Sequence, residues 1–230
     1  MESGFGAYGK MPAVGDFFRI NAGGSFVRIW DAWLQNLLLE GQTNYGPQFD
    51  ALYMSAPIWR FTLAGGQAGP AKMMGVLMPS VDRVGRRFPL TLMLPLTTPG
   101  PPALDHFRET ALFEQLEEIA LSALEDDMTR ERLAAGLARL EPPGLRASAP
   151  LRQQGTSYVL TGTGTGADGA AVQTYLAAAL LAKQAPGAGL WTAVLDSGPR
   201  LMVSPELPLG QQGSGLLDMS APIWREAQPV

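Results

Sequence analysis

The sequence predicts an α/β fold built as one domain, and three observations carry that prediction. Two apolar runs of strand length, Val76–Met78 and Phe88–Leu94, are bounded by proline and glycine. Residues from Phe26 to Leu38 place their apolar side chains on one face at the helical period. Segments of these two kinds alternate along 230 residues, a length that a single α/β unit reaches.

Taken in order, residues 5–20 read FGAYGKMPAVGDFFRI. They predict a short strand, a turn through Met11–Gly15 and a second extended piece, with Lys10, Asp16 and Arg19 as the polar groups. Ser25 then opens the clearest helix as its N-cap, and Gly41 ends it. Phe26, Ile29, Trp30, Trp33, Leu34, Leu37 and Leu38 form its apolar face, with both tryptophans read as core fillers. Tyr45–Tyr53 reads as a short helix or turn. Ser55–Leu63 reads as a strand that carries Arg60 in an apolar setting. A buried arginine needs a partner, and Asp82 is the candidate.

The chain is organised around Gly75–Leu96, where two strands flank the charged segment Ser80–Arg87. Gly85 is available there for a turn that needs positive φ. On a structural reading, Asp82 bonds the loop and pairs with one arginine while the rest face water. On a functional reading, the arginines present guanidinium forks to an anion or a partner. The two are compatible, since one arginine can lock the loop while another points out. Arg83 and Arg86, with Arg87 and Lys10, are the expected partner-binding residues. Asp16, Arg19, Arg60 and Asp82 are the expected structural polar cluster.

Pro99, Pro101 and Pro102 form a connector to a long helix over Ala103–Leu124, with Glu109, Glu114, Glu117 and Glu118 on its wet face. His106, in its first turn, reads as a surface or capping residue. A short helix follows over Thr129–Leu140. Residues 141–168 are rich in Gly, Pro, Ser and Thr and predict a mobile connection with one strand at Ser157–Leu160. Asp168 caps the next helix, whose stripe is Val172, Tyr175, Leu176, Ala179 and Leu180. Leu190–Leu195 and Arg200–Val203 read as a strand pair, and the tail is Pro- and Gly-rich. The heptapeptide MSAPIWR occurs twice, at Met54–Arg60 and Met219–Arg225. The flanks do not match, so this is no tandem array. Two copies of a strand-like segment suit neighbouring positions in the sheet.

Composition narrows the chemistry. Hydrophobic residues make up 46%, enough for a real core, and charged residues only 17%. The net charge of −4 without a basic block does not suggest nucleic-acid binding. The absence of cysteine removes disulfides, thiolate chemistry and Cys-ligated metals, and a single histidine removes a His-based metal cage. No secretory signal and no apolar stretch of membrane-spanning length is visible, so a cytoplasmic location without membrane insertion is expected. Gly164, Gly166 and Gly169 satisfy the dinucleotide fingerprint G-x-G-x-x-G, but within a low-complexity TGTGTG run and with Asp196 too far downstream. That glycine loop, or Asp16, Asp82 and Asp196 as general acids or divalent-cation ligands, defines the alternative reading of a nucleotide- or metal-dependent enzyme. Nothing in the chain calls for one, and no cofactor is expected.

Three blocks of the sequence resemble the TagF (ImpM) family, accessory proteins of the bacterial type VI secretion system. They are Tyr8–Arg19 (YGKMPAVGDFFR), Ser55–Phe61 (SAPIWRF) and Gly75–Leu90 (GVLMPSVDRVGRRFPL). The resemblance covers about the first 96 residues. It implies a three-layer αβα sandwich with a mixed or largely antiparallel central sheet. It also implies a cytoplasmic, non-enzymatic role: repression of type VI secretion after translation, by engaging the forkhead-associated-domain protein of the system.

Overall fold

The computed structural model describes residues 4–144, 151–160 and 169–228. In chain order they form β1 (Gly6–Gly9), β2 (Phe18–Ile20), α1 (Gly24–Tyr45), a 3-10 turn (Gly46–Gln48) and α2 (Phe49–Ser55). Then come β3 (Trp59–Leu63), β4 (Lys72–Met78), β5 (Leu90–Leu96), α3 (Pro102–Arg108), α4 (Thr110–Ser122) and α5 (Arg130–Leu137). A small hairpin, β6 (Arg152–Gln154) with β7 (Ser157–Val159), precedes α6 (Gly169–Gln184), β8 (Gly189–Ala193), β9 (Arg200–Ser204), α7 (Gly210–Leu217) and α8 (Pro222–Arg225).

Seven of these strands form one sheet in the order β2-β1-β5-β4-β3-β8-β9, and every pairing is antiparallel. The apolar runs are legible because β4 and β5 are buried on both faces. Side chains alternate across the sheet. Met74, Val76 and Met78 with Leu90, Leu92 and Leu94 meet α4 and α5 through Leu112, Phe113, Leu116 and Leu133. Met73, Leu77 and Met93 face the other way, onto α1, α2 and α7. Helices therefore cover both faces, giving the three-layer αβα sandwich.

The α1 face is dominated by indoles. Trp30 stacks on Trp191 at 6.0 Å and 3° and donates to Thr91 Oγ1 at 2.8 Å. Phe61 packs 4.9 Å from Trp30, into space left by Gly75, where a Cβ would lie 2.8 Å from the Phe61 ring and 2.0 Å from the Leu92 carbonyl oxygen. Truncating an indole buried this way to alanine costs about 3–5 kcal/mol.

Several helix details depart from the sequence reading. The N-cap of α1 is Gly23 rather than Ser25, and the helix runs past Gly41 to end at Gly46, whose φ is +52°. Gly41 serves packing instead: a Cβ there would meet Phe49 Cε2 at 2.5 Å and Leu217 Cδ1 at 2.8 Å. The helix expected over Ala103–Leu124 is broken at Glu109, whose ψ of 35° leaves the helical region. The break lets α3 lie over β3 and β8 while α4 lies over β4 and β5. The helix α6 exists, but Val172, Leu176 and Leu180 of its expected inner stripe are exposed. Ala178, Tyr175 and Leu181 face α3 instead, because a small residue permits close approach to Ala103 and Leu104. The Pro- and Gly-rich tail carries the two short helices α7 and α8. The expected connection over 141–168 contains the β6–β7 hairpin; Asp168 lies outside the described residues.

The two heptapeptides are neighbours but not both in the sheet. The first runs from the end of α2 into β3, and the second ends in α8. Trp59 and Trp224 stack at 5.9 Å and 12°. Their indoles donate to successive carbonyls at the end of α7, Trp59 to Leu216 and Trp224 to Gly215.

Polar groups on the opposite face are paired inside the layer. Arg60 does not meet Asp82; it forms a bidentate pair with Glu117 of α4, both contacts at 2.7 Å. The side chains are 10% and 21% exposed, so solvent screens part of the pair. Losing either partner therefore costs less than the ~3–5 kcal/mol of a fully buried pair. His106 is buried rather than on the surface, with Nδ1 2.9 Å from Thr62 Oγ1 and Nε2 2.9 Å from Thr192 Oγ1. Burial, reinforced by the charge of Arg60, pushes its pKa down to about 3. The folded imidazole is neutral, while the unfolded one takes up a proton near pH 6.5. Its contribution to stability is complete above that value and lost as pH falls toward 3. Urea unfolding should therefore show a loss of about 2 kcal/mol between pH 7 and pH 5, and His106→Gln should flatten that slope. An equal slope in the variant would remove His106 as its source.

Candidate functional site

Strand directions bring the ends of β1, β4 and β8 to one end of the sheet, together with the starts of β3 and β5. Two loops meet there: residues 10–17, between β1 and β2, and residues 80–87, between β4 and β5. They are adjacent because β5 lies between β1 and β4.

Asp82 is the centre of the junction, and its side chain is fully buried. Its Oδ1 accepts the amides of Val84 and Arg86 at 3.1 and 2.9 Å. Its Oδ2 accepts Lys10 Nζ at 3.0 Å and Arg86 Nε at 2.7 Å. Burial alone would push this carboxyl up. The Arg86 amide, the Lys10 ammonium, the Arg86 guanidinium and the Val84 amide outweigh it and hold Asp82 well below the usual carboxylate range. Gly85, at φ +81°, closes the turn with its amide on the Asp82 carbonyl.

Further bonds stitch the loops together. Ser80 Oγ donates to the Lys10 carbonyl at 2.8 Å, and the Arg83 amide to the Val14 carbonyl at 3.2 Å. Arg83 Nη2 donates to the Ala13 carbonyl at 2.9 Å, and Arg86 Nη2 to the Gly15 carbonyl at 2.8 Å. Tyr53 of α2 supports them from below, donating to the Ser80 carbonyl and accepting the Ser80 amide. Burial holds its phenol above the usual range.

The structure sorts the predicted residues into two groups. Arg83 and Arg86 are exposed, with Val84 at 71% exposure between them in sequence and Phe17 at 43% in the other of the two stitched loops. Lys10 does not face a partner: it is buried, paired with Asp82 and 4.7 Å from the centre of the Phe17 ring. Arg87 pairs with Asp50 and lies over Phe49. Asp16 is exposed and accepts the Phe17 amide; Arg19 is exposed on β2. Arg60 stands apart with Glu117, so the expected cluster of Asp16, Arg19, Arg60 and Asp82 is not one group.

The alternative chemistry is not assembled among the described residues. Asp82 is committed to Lys10 and Arg86, and Asp196 follows β8, separated from β1 by β5, β4 and β3. No group of three acidic or histidine side chains that could hold a metal occurs among the described residues. Gly164 and Gly166 lie outside them, and Gly169 begins α6. No helix among them is long and apolar enough to cross a membrane.

Sequence reasoning missed Glu117, Tyr53, Phe17 and Val84 as contributors. Glu117 sits on a helix face read as wet, and its role depends on α4 lying close enough for Glu117 to reach Arg60 on β3. Phe17 was one aromatic among four in its segment, and only its packing on Phe88 at 4.7 Å fixes it at the rim.

Substituting Asp82 tests the junction. Asp82→Asn leaves Lys10 and Arg86 without a counter-charge. The amides of Val84 and Arg86 should then lose hydrogen-exchange protection while β4 and β5 keep theirs. In the wild type that protection should persist to about pH 4 and decline only below, as the carboxylate takes up its proton. Unchanged exchange at Val84 and Arg86 in the variant would show that Asp82 does not hold the loop.

Three comparisons bear on identity. No curated protein matches the sequence. The crystal structure of PA0076 from Pseudomonas aeruginosa PAO1 is similar, with a TM-score of 0.78 and 28% identity over 98% of this chain and 97% of that one. The model of the TagF N-terminal domain, described as type VI secretion system-associated, matches residues 6–140. That stretch holds both stitched loops, the Asp82 junction and the β1-β5-β4-β3 core of the sheet. The chain therefore belongs to the TagF N-terminal-domain family, associated with type VI secretion.

Proposed function

We propose that this protein represses type VI secretion after translation by binding the forkhead-associated-domain signalling protein of the system, without catalysing a reaction. On this reading it acts in the cytoplasm, and its contacts are made by the end of the sheet where Arg83 and Arg86 are displayed. The observation that supports a docking role is the cross-linking of that end. Two loops far apart in sequence are cross-linked by Asp82 and by four backbone carbonyls, yet they hold guanidinium groups and apolar side chains toward solvent. A surface ordered before it meets its partner loses little conformational entropy on binding. Family membership supplies the system in which the partner is sought.

A pull-down with the tagged protein from cytoplasmic lysate, read by mass spectrometry, should recover the forkhead-associated-domain protein. Arg83→Glu should abolish that recovery while the melting temperature holds. Arg86 also neutralises Asp82, so Arg83 is the cleaner position. Overproduction of the wild type should lower release of the secreted substrate at constant transcript level. Recovery unchanged by Arg83→Glu would sink the docking face, and no recovery at all would sink the partner.

A further inference from the structure

We infer that the surface formed by Arg83, Val84, Arg86 and Phe17 takes an acidic peptide segment of a partner protein, with carboxylates on the two guanidiniums and an apolar side chain against Val84. This rests on the reading above that the end of the sheet is a docking face, and it adds the chemistry of what docks.

Arg83 carries the argument. Among the described residues it forms no ion pair; its guanidinium is pinned through Nη2 to a neutral acceptor, the Ala13 carbonyl, and its backbone amide to the Val14 carbonyl. The group is thus positioned but not neutralised, and its Nε and Nη1 hydrogens are left for a ligand. Arg86 gives Nε to Asp82 and Nη2 to the Gly15 carbonyl, leaving Nη1, and its side chain is 59% exposed. The one charge of Asp82 is shared between Lys10 and Arg86, so the junction keeps a positive excess in a protein whose net charge is −4. Asp16, at the rim, turns Oδ1 to the Phe17 amide.

The apolar neighbours define the ligand class. Val84 stands at the tip of the loop, and Phe17 is held by Tyr8, Phe88 and Lys10 with part of its ring in water. A small inorganic anion would use the guanidiniums and leave both side chains wet. Two arginines also fall short of the basic stripe that tracks a nucleic-acid backbone. Carboxylates flanking an apolar residue on an extended peptide match both features, since planar carboxylates suit guanidinium forks.

Fluorescence anisotropy with a labelled Glu-Asp-Leu-Asp-Glu peptide tests this on the full chain. The acidic peptide should bind at about 0.05 M salt and weaken as salt rises to about 0.5 M. Its Gln-Asn-Leu-Asn-Gln counterpart should bind at least ~10-fold more weakly. Arg83→Glu and Val84→Asp should each cost at least ~10-fold with unchanged circular dichroism, and Arg83→Lys should recover only part of the affinity. Arg132→Gln, on α5, should have no effect. Equal binding of the two peptides, or indifference to Arg83→Glu, overturns the inference. Tighter binding of a phosphothreonine peptide than of the acidic one overturns the carboxylate assignment. The pull-down is independent of these results. If the peptide binds but no forkhead-associated-domain protein is recovered, this surface stands and the partner falls. If that protein is recovered but the peptide does not bind, the partner stands and the acidic-peptide surface falls.

Discussion

A carboxylate removed from water must be met by donors, and Asp82 is met by four. Two are amides of its own turn and make the loop between β4 and β5 a closed ring. The third is the Arg86 guanidinium and the fourth is Lys10, from a loop that joins other strands. A local turn is thereby coupled to long-range topology, because Lys10 reaches Asp82 only if β1 lies beside β5 and β5 beside β4. Much of the surrounding geometry depends on that contact: the bonds from Ser80, Arg83 and Arg86 to the first loop presuppose that the two loops lie side by side.

The other face solves a different problem. There Arg60, Thr62, His106, Thr192 and Glu117 form polar contacts beneath helices rather than in a loop. The imidazole has both nitrogens within reach of hydroxyls, which can donate or accept, so a neutral ring is satisfied in either tautomer. The break at Glu109 makes this compatible with close packing: α3 delivers His106 to β3 and β8, while α4 delivers Glu117 to Arg60.

Much of the architecture was legible because it is written in short-range signals. Proline and glycine bracketed β4 and β5, the aromatic stripe of α1 kept its period, and the charged loop stood out between apolar runs. Pairings were not legible where strand order decides them. Arg60 and Asp82 seemed natural partners as buried opposite charges, yet Arg60 points to the α4 face while Asp82 is enclosed between loops. Lys10 looked like an outward cation for the same reason: its partner is distant in sequence. Gly41 carried the ordinary mark of a helix end, and only the approach of Phe49 and Leu217 shows it as a packing notch. In α6 the apolar residues surround the helix, so periodicity could not select the inner face.

The duplicated heptapeptide separates what a sequence imposes from what its surroundings impose. In both copies the alanine before proline is extended, Ala56 at ψ 141° and Ala221 at ψ 149°, as the proline ring requires. Beyond that point the same Pro-Ile-Trp-Arg continues into a strand once and closes a helical turn once. Neighbours set that choice: β4 and β8 offer a ladder to the first copy, while the second meets the Gly215 carbonyl of α7, the indole face of Trp59 and the apolar core. An alignment that matched one copy to the other would therefore transfer the wrong backbone with perfect identity, and relatives of this chain are better threaded by their flanks than by the motif.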